Sequence, residues 1–268
     1  MGKFDGILLL SDMDGTLLNS CRTVSPENLE AIRYFMAEGG RFSVATGRSK
    51  PGMEYFLKHL PVNAPAVIYN GAVVYDFEAD CPVWQCPLGE RGLDLYRLIQ
   101  EEFPGAGMET YDMHTAYALS DNPISRRHFT NVNMPWQLVQ PETVPQPWVD
   151  MLLLEREDRL AEIKARLEAR YPGAFFLQYS DTEFLEVLHP DANKGVAALA
   201  LCKYLGCNVE NLYTIGDGRN DIQLLTCTKN AYAPANAEPE IKALCPRILS
   251  HHNDHAIAAL IAELDATR

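Results

Sequence analysis

Ile7-Leu8-Leu9-Leu10-Ser11-Asp12-Met13-Asp14-Gly15-Thr16 is the stretch that decides the fold. Four consecutive apolar residues predict a strand buried on both faces, the kind found inside a parallel sheet. That strand runs into two carboxylates two positions apart. Ligands of open α/β sheets bind beyond the carboxyl ends of the strands. There, one of Asp12 and Asp14 can attack while its neighbour handles protons. By itself Asp-x-Asp-Gly is also an ordinary turn sequence, because Asp and Gly suit tight bends.

Three further segments give the pair a context. Phe42 to Thr46 reads as a strand followed by Gly47 and Arg48, so a hydroxyl, a flexible amide and a guanidinium lie where a phosphate could rest. Asn193-Lys194-Gly195 opens a helix, and a cation in a first turn opposes the helix dipole, which argues for a specific role. Leu212 to Gly216 is another short apolar run. It releases Asp217-Gly218-Arg219-Asn220-Asp221, a second acidic cluster whose paired carboxylates are costly without a cation. Two acidic loops imply a shared Mg²⁺ ion.

These segments resemble, in order, the four motifs of the haloacid dehalogenase-like phosphatase superfamily. Asp12 to Thr16 resembles motif one, Thr46 with Gly47-Arg48 motif two, Lys194 motif three, and Asp217 to Asp221 motif four. The long insertion between motifs two and three, with Tyr69-Asn70-Gly71-Ala72 and Asn193-Lys194-Gly195, is similar to the Cof-type branch, which carries a type IIB cap. Motif four departs from the usual Asp-Ser-x-Asn-Asp; Gly218 gives up a hydroxyl, not a ligand. The resemblance implies that Asp12 is a nucleophile forming an aspartyl-phosphate and touching Mg²⁺. It makes Asp14 the acid and base, with a main-chain carbonyl on the metal. Asp217 completes the protein ligands, and Asp221 supports the ion directly or through water. Lys194 holds the nucleophile and the phosphate charge, while Thr46 and Gly47 bind the phosphoryl oxygens. Arg48, Asn70 and Asn220 are the further candidates for contact with substrate, although Asn70 serves equally as a turn former and Arg48 as a solvated residue.

Strands and helices alternate at both ends of the chain. Ser25-Pro26 reads as an N-cap and first turn, with Leu29, Ile32, Phe35 and Met36 on one apolar face ending at Gly39-Gly40. Asn70-Gly71 between two β-rich runs signals a tight hairpin. The last helix is expected through Ala256 to Leu264, capped by Asn253 or Asp254, which would keep the rings of His251, His252 and His255 from sharing one face. Alternation of this kind implies right-handed crossovers and a doubly wound parallel sheet. Between Val83 and His189 the pattern changes, with helices near Arg91 to Phe103 and Asp158 to Tyr171. This predicts an α/β core at 1–82 and 189–268 and an inserted α+β cap at 83–188. In the cap, Pro135, Pro141, Pro145 and Pro147 are expected to connect two similar βαβ halves, with Trp136 and Trp148 buried. Arg126-Arg127-His128 is its concentrated basic feature, either a substrate contact or a solvated edge.

Composition bounds the partners. The chain has 268 residues, 47% hydrophobic and 22% charged, with Lys+Arg 23 against Asp+Glu 36 and a net charge of −13. Such a field does not attract nucleic acid or anionic membranes. No run approaches the roughly 18 apolar residues of a membrane span, and no secretory leader is visible. Position 6 is Gly6, where a myristoylation motif needs Ser or Thr. The seven cysteines form no Cys-x-x-Cys pair, which argues against a disulfide framework and a zinc site. The expectation is therefore a cytoplasmic, Mg²⁺-dependent phosphomonoesterase acting on a small phosphorylated metabolite. Sugar phosphates come first by analogy, then a cofactor phosphate such as pyridoxal phosphate. A phosphotransferase or mutase using the same intermediate is the competing enzyme class. A non-catalytic phosphate- or Mg²⁺-binding regulator is disfavoured by the intact motifs. Oligomeric state has no readable signal.

Overall fold

The computed structural model describes residues 2–132 and 136–267. In chain order the elements begin with β1 (Leu8–Ser11), α1 (Pro26–Ala37), β2 (Arg41–Val44), α2 (Lys50–Leu57), β3 (Ala66–Ile68), β4 (Val73–Asp76) and β5 (Cys81–Gln85). There follow α3 (Arg91–Glu102), β6 (Gly107–Tyr111), β7 (Ala116–Ala118), α4 (Pro123–Val132), β8 (Trp136–Leu138), β9 (Met151–Leu154), α5 (Glu157–Arg170), β10 (Phe176–Asp181) and β11 (Phe184–Leu188). The remainder comprises α6 (Lys194–Leu205), β12 (Leu212–Ile215), α7 (Ile222–Thr226), β13 (Asn230–Pro234), α8 (Pro239–Leu244), β14 (Arg247–Leu249) and α9 (Ala256–Ala266). The chain divides into one unit of Met1–Gly47, Tyr55–Trp84 and Asn193–Arg268, and a second of Arg48–Glu54 and Gln85–Ala192. No described helix is long and apolar enough to cross a membrane.

The first unit is built on a parallel sheet in the order β14-β13-β12-β1-β2. Its middle neighbours are explained by sequence: Ile7 to Leu10 are fully buried, as a strand covered by helices on both faces requires. Chain order reverses at β1, because β2 lies on one side of it and β12 on the other, the position at which such sheets open a crevice for ligands. Helix α1 starts as expected, with Ser25 Oγ accepting from Asn28 N at 3.3 Å and Ile32 and Phe35 buried.

Two local expectations are corrected. The start of α9 is not capped by Asn253 or Asp254: His255 is the left-handed residue before it (φ 62), and Asn28 of α1 accepts from Ala258 N at 3.0 Å. Asn253 is engaged elsewhere, its Oδ1 accepting from Ser20 N at 2.8 Å. The β3–β4 hairpin exists, but Ile68 pairs with Val73, leaving a four-residue connection Tyr69–Ala72 and not a two-residue turn. Tyr69, Asn70 and Gly71 all have positive φ (50, 50 and 97). Gly71 is required there, since a Cβ would lie 2.1 Å from the carbonyl carbon of Asn193.

The second unit carries a six-stranded sheet, β10-β11-β9-β6-β7-β8, antiparallel except between β7 and β8. Leu95 and Ile99 of α3 and Leu160, Ile163 and Leu167 of α5 pack with Met108, Met151, Leu153, Leu185 and Val187 into its core. The two halves are less alike than the sequence implies. Strands β7 and β8 flank α4 as direct neighbours, whereas β9 and β10 around α5 are separated by β11. Trp148 is fully buried, as expected, but Trp136 is 43% exposed and stacks on Phe129 at 4.8 Å, which satisfies the ring without enclosing it. Pro135 lies outside the described residues.

Each member of the basic run has an acidic partner. Arg126 is held by both oxygens of Asp121 at 2.6 and 2.7 Å, Arg127 pairs with Glu183, and His128 Nδ1 lies 2.8 Å from Glu109 Oε2. The arginine pairs are solvated, so Arg126→Ala is expected to leave the thermal midpoint almost unchanged. A large fall in that midpoint would show that the pair closes the unit.

Candidate active site

Asp12 follows β1 directly, and its amide donates to Ile215 O at 2.9 Å, tying the loop after β1 to the end of β12. Asp217 and Asp221 emerge from that second strand end. Lys194 reaches both loops from the first turn of α6, where Asn193 caps the helix by accepting from Val196 N at 2.9 Å. The Lys194 ammonium is fully buried and donates to Asp12 Oδ1 and to Asp221 Oδ1, each at 2.6 Å. Asp221 Oδ2 accepts from the amides of Asp217 and Gly218 at 3.0 and 3.1 Å, so this carboxylate shapes its own loop. Asp217 Oδ1 accepts from Thr16 Oγ1 at 2.5 Å. Asn236 Nδ2 donates to Gly15 O at 2.7 Å and fixes the turn after Asp14. Gly15 has φ +83, and a Cβ there would lie 2.3 Å from Asp217 Oδ2.

Electrostatics follow from this crowding. Burial, then repulsion from Asp221, pushes the Asp12 carboxyl well above the usual range, against the pull of Lys194. Burial and Asp221 push Asp217 up to about 6, opposed by the Thr16 hydrogen bond and Lys194. Burial alone would lower the Lys194 ammonium, but the charges of Asp12 and Asp221 and their hydrogen bonds outweigh it and hold the proton more tightly than usual. Three carboxylates face one ammonium, an excess of two negative charges when all are ionised. Asp12, Asp217 and Asp221 each place an oxygen within 4.8 Å of the others, the one such group among the described residues. Hard oxygen donors and that charge excess fit a divalent ion such as Mg²⁺.

The other expected residues divide. Asp14 is exposed, and its side chain is not part of the carboxylate group. Thr46 is buried, its amide donating to Val67 O at 2.9 Å and its carbonyl accepting from Asn70 N at 3.1 Å. Asn70 packs over Gly47, where a Cβ would meet its Nδ2 at 2.9 Å. Asn220 Nδ2 donates to Asn70 Oδ1 at 3.2 Å, so Asn70 joins the second and fourth segments as well as forming a turn. Arg48 begins the Arg48–Glu54 segment of the other unit. Sequence reasoning assigned no role to Thr16 or Asn236. Thr16 was visible in the opening stretch, whereas nothing local marks Asn236.

A model of the haloacid dehalogenase-like hydrolase family matches residues 9–261. The chain belongs to that family. It is an enzyme, and other haloacid dehalogenase-like proteins resemble it along nearly their whole length. YxeH of Bacillus subtilis, provisionally named a phosphatase, is 27% identical over 265 residues, covering 96% of this chain and 97% of YxeH. An HMP-PP phosphatase of Escherichia coli is 25% identical over 251 residues, 92% of this chain and 91% of the relative. Among solved structures, the protein BT4131, described as a subclass IIB sugar phosphatase, superposes with a TM-score of 0.83 at 17% identity, over 97% of this chain and 99% of BT4131. The family relation and the doubly wound core with a separate α+β unit agree with the expectation drawn from the four motifs.

Proposed function

We propose that this enzyme hydrolyses phosphate monoesters of small metabolites, sugar phosphates foremost, through a phosphoryl group carried transiently on Asp12. The observation that carries the proposal is Lys194, a fully buried ammonium bridging Asp12 and Asp221 at 2.6 Å each. A bound Mg²⁺, held by Asp12, Asp217, Asp221 and the Asp14 carbonyl, would neutralise phosphate and carboxylate charge together. Lys194 fixes the attacking carboxylate in place and offsets the charge of the incoming ester. Asp12 attacks phosphorus while Asp14, the exposed neighbour, gives its proton to the leaving alkoxide. Asp14 then takes a proton from the water that releases phosphate. Thr46 and the Gly47 amide hold the phosphoryl oxygens, and Asn70 and Asn220 keep that loop in position. Residues 83–188 act as the cap that selects the leaving group, and Arg48 contacts substrate. The likeness to a sugar phosphatase supports the substrate class, and the HMP-PP phosphatase relatives make HMP-PP the second compound to test.

Phosphate release from a panel of phosphorylated metabolites, with Mg²⁺ and with excess chelator, tests this reading. Release confined to the Mg²⁺ arm is expected. Undiminished release in chelator would remove the metal, and silence across the panel would remove the phosphatase.

The site also sets a pH and stability test. In the metal-free protein Asp217 is raised to about 6, above the roughly 3.9 of an unfolded Asp. The folded chain therefore binds the extra proton, and this group destabilises the fold increasingly as pH rises through that window. Asp217→Asn is expected to raise the metal-free thermal midpoint at pH 7.5 and to abolish the further rise that Mg²⁺ gives the wild type. A variant that still gained the full Mg²⁺-dependent shift would exclude Asp217 as a ligand.

A further inference from the structure

Asn236 stands in the loop after β13, and its side chain is bonded at both ends to groups of fixed polarity. Its Nδ2 donates to the Gly15 carbonyl at 2.7 Å, and its Oδ1 accepts from the main-chain N–H of His252 at 2.9 Å. A carbonyl can only accept and a main-chain N–H can only donate, so chemistry sets which way the Asn236 amide points. His252 continues the tie, its imidazole Nδ1 donating to Leu18 O at 2.8 Å. The loops after β13 and β14 thus grip the turn after β1 at Gly15 and at Leu18. Within that turn Leu18 N donates to Met13 O at 2.8 Å, and Thr16 Oγ1 reaches Asp217.

Gly15 is the point at which the turn would give way. It follows Asp14 directly, it has φ +83, and a glycine backbone rotates more freely than any other. Asp14 is exposed, so the direction of its carboxyl depends on the backbone that carries it. We propose that Asn236 is a positioning residue for proton transfer by Asp14. By holding the Gly15 carbonyl it keeps the Asp14 carboxyl aimed first at the leaving oxygen and then at the water that releases phosphate. The inference rests on the acid and base role given to Asp14 above. Loss of Asn236 should therefore be felt in the steps in which Asp14 moves a proton, where a misplacement of about 1 Å costs on the order of 10²-fold.

Pre-steady-state kinetics of Asn236→Ala and Asn236→Asp with two esters, in Mg²⁺, test the assignment. The Asp variant keeps the shape and the acceptor for His252 but has no donor for Gly15, so it isolates that one bond. With p-nitrophenyl phosphate, whose leaving group needs little protonation, both variants should give a stoichiometric burst of p-nitrophenolate at close to the wild-type rate. A slow phase should follow, as hydrolysis of the phosphoryl enzyme lags. With the alkyl phosphate that the wild type turns over fastest in the metabolite panel, no burst is expected, and kcat should fall about 10²-fold with KM changed less than about threefold. Thermal midpoints of the metal-free proteins report folding separately, and Asn236→Asp decides the matter if the Ala variant melts early. Equal proportional losses with both esters would make Asn236 a structural residue and overturn the proposal, as would wild-type kinetics in Asn236→Asp. Asp14→Asn, run alongside, separates the proposal from the reading beneath it. If Asp14→Asn shows the leaving-group split and the Asn236 variants do not, the positioning role falls and Asp14 stands; if Asp14→Asn shows no split, both fall.

Discussion

Asp12→Asn is expected to lower turnover of every ester by about 10⁴-fold or more, because an amide of the same size lacks the charge to attack phosphorus. The loss should not come from unfolding. Asp12 is one of three carboxylates sharing one ammonium, and its carboxyl is held well above the usual range by burial and by Asp221. Neutralising it relieves repulsion and leaves Lys194 its bond to Asp221 at 2.6 Å. The metal-free variant should therefore melt no lower than the wild type while hydrolysing p-nitrophenyl phosphate at background rate. Wild-type turnover in this variant would end the nucleophile assignment.

Lys194→Met should fail in the opposite way. The substitution keeps an unbranched chain of similar reach but removes the only ammonium bonded to Asp12 and Asp221 among the described residues, leaving two buried carboxylates uncompensated. Breaking a buried ion pair from one side costs about 3–5 kcal/mol. For a chain of this size that corresponds to a fall of roughly 6–20 °C in the thermal midpoint of the core unit. Without the ammonium Asp12, already raised by burial and by Asp221, holds its proton more tightly, so the deficit should be largest at alkaline pH and shrink on acidification. Circular dichroism melts of metal-free protein at pH 5 and pH 8 check this. A midpoint near that of the wild type at both pH values would mean that Lys194 does not carry the charge balance of the site.

These contrasting effects rest on residues that the sequence exposes unevenly. Asp12, Lys194 and Asp217 were legible because each stands at the end of a strand or the start of a helix with strong local signals. Ile7 to Leu10 has the continuous apolarity of a doubly covered strand, and Asn193 is an N-cap by type. Interactions that close over long sequence separations were not legible. Asn28 caps α9 from 230 residues away, where the local rule named Asn253 or Asp254, and Asn236 holds Gly15 across 221 residues with no local signal to mark it. The β3–β4 hairpin departed from its Asn-Gly signal because the connection also serves the site: Asn70 bonds Asn220, and Gly71 yields room to Asn193. Trp136 departed from burial because stacking on Phe129 covers one face of a ring that the edge strand leaves outside.

The most direct measurement is to trap the phosphoryl enzyme. Asp14→Asn removes the group that activates water but leaves Asp12, so an ester with a good leaving group such as p-nitrophenyl phosphate should phosphorylate the variant faster than water clears it. After acid quench and digestion, tryptic peptide 4–22 should carry one phosphoryl group, located on Asp12 by borohydride reduction to homoserine. The label should vanish in the Asp12→Asn/Asp14→Asn double variant. Label on any other residue, or phosphate released in a burst with peptide 4–22 unmodified, would contradict phosphoryl transfer through Asp12.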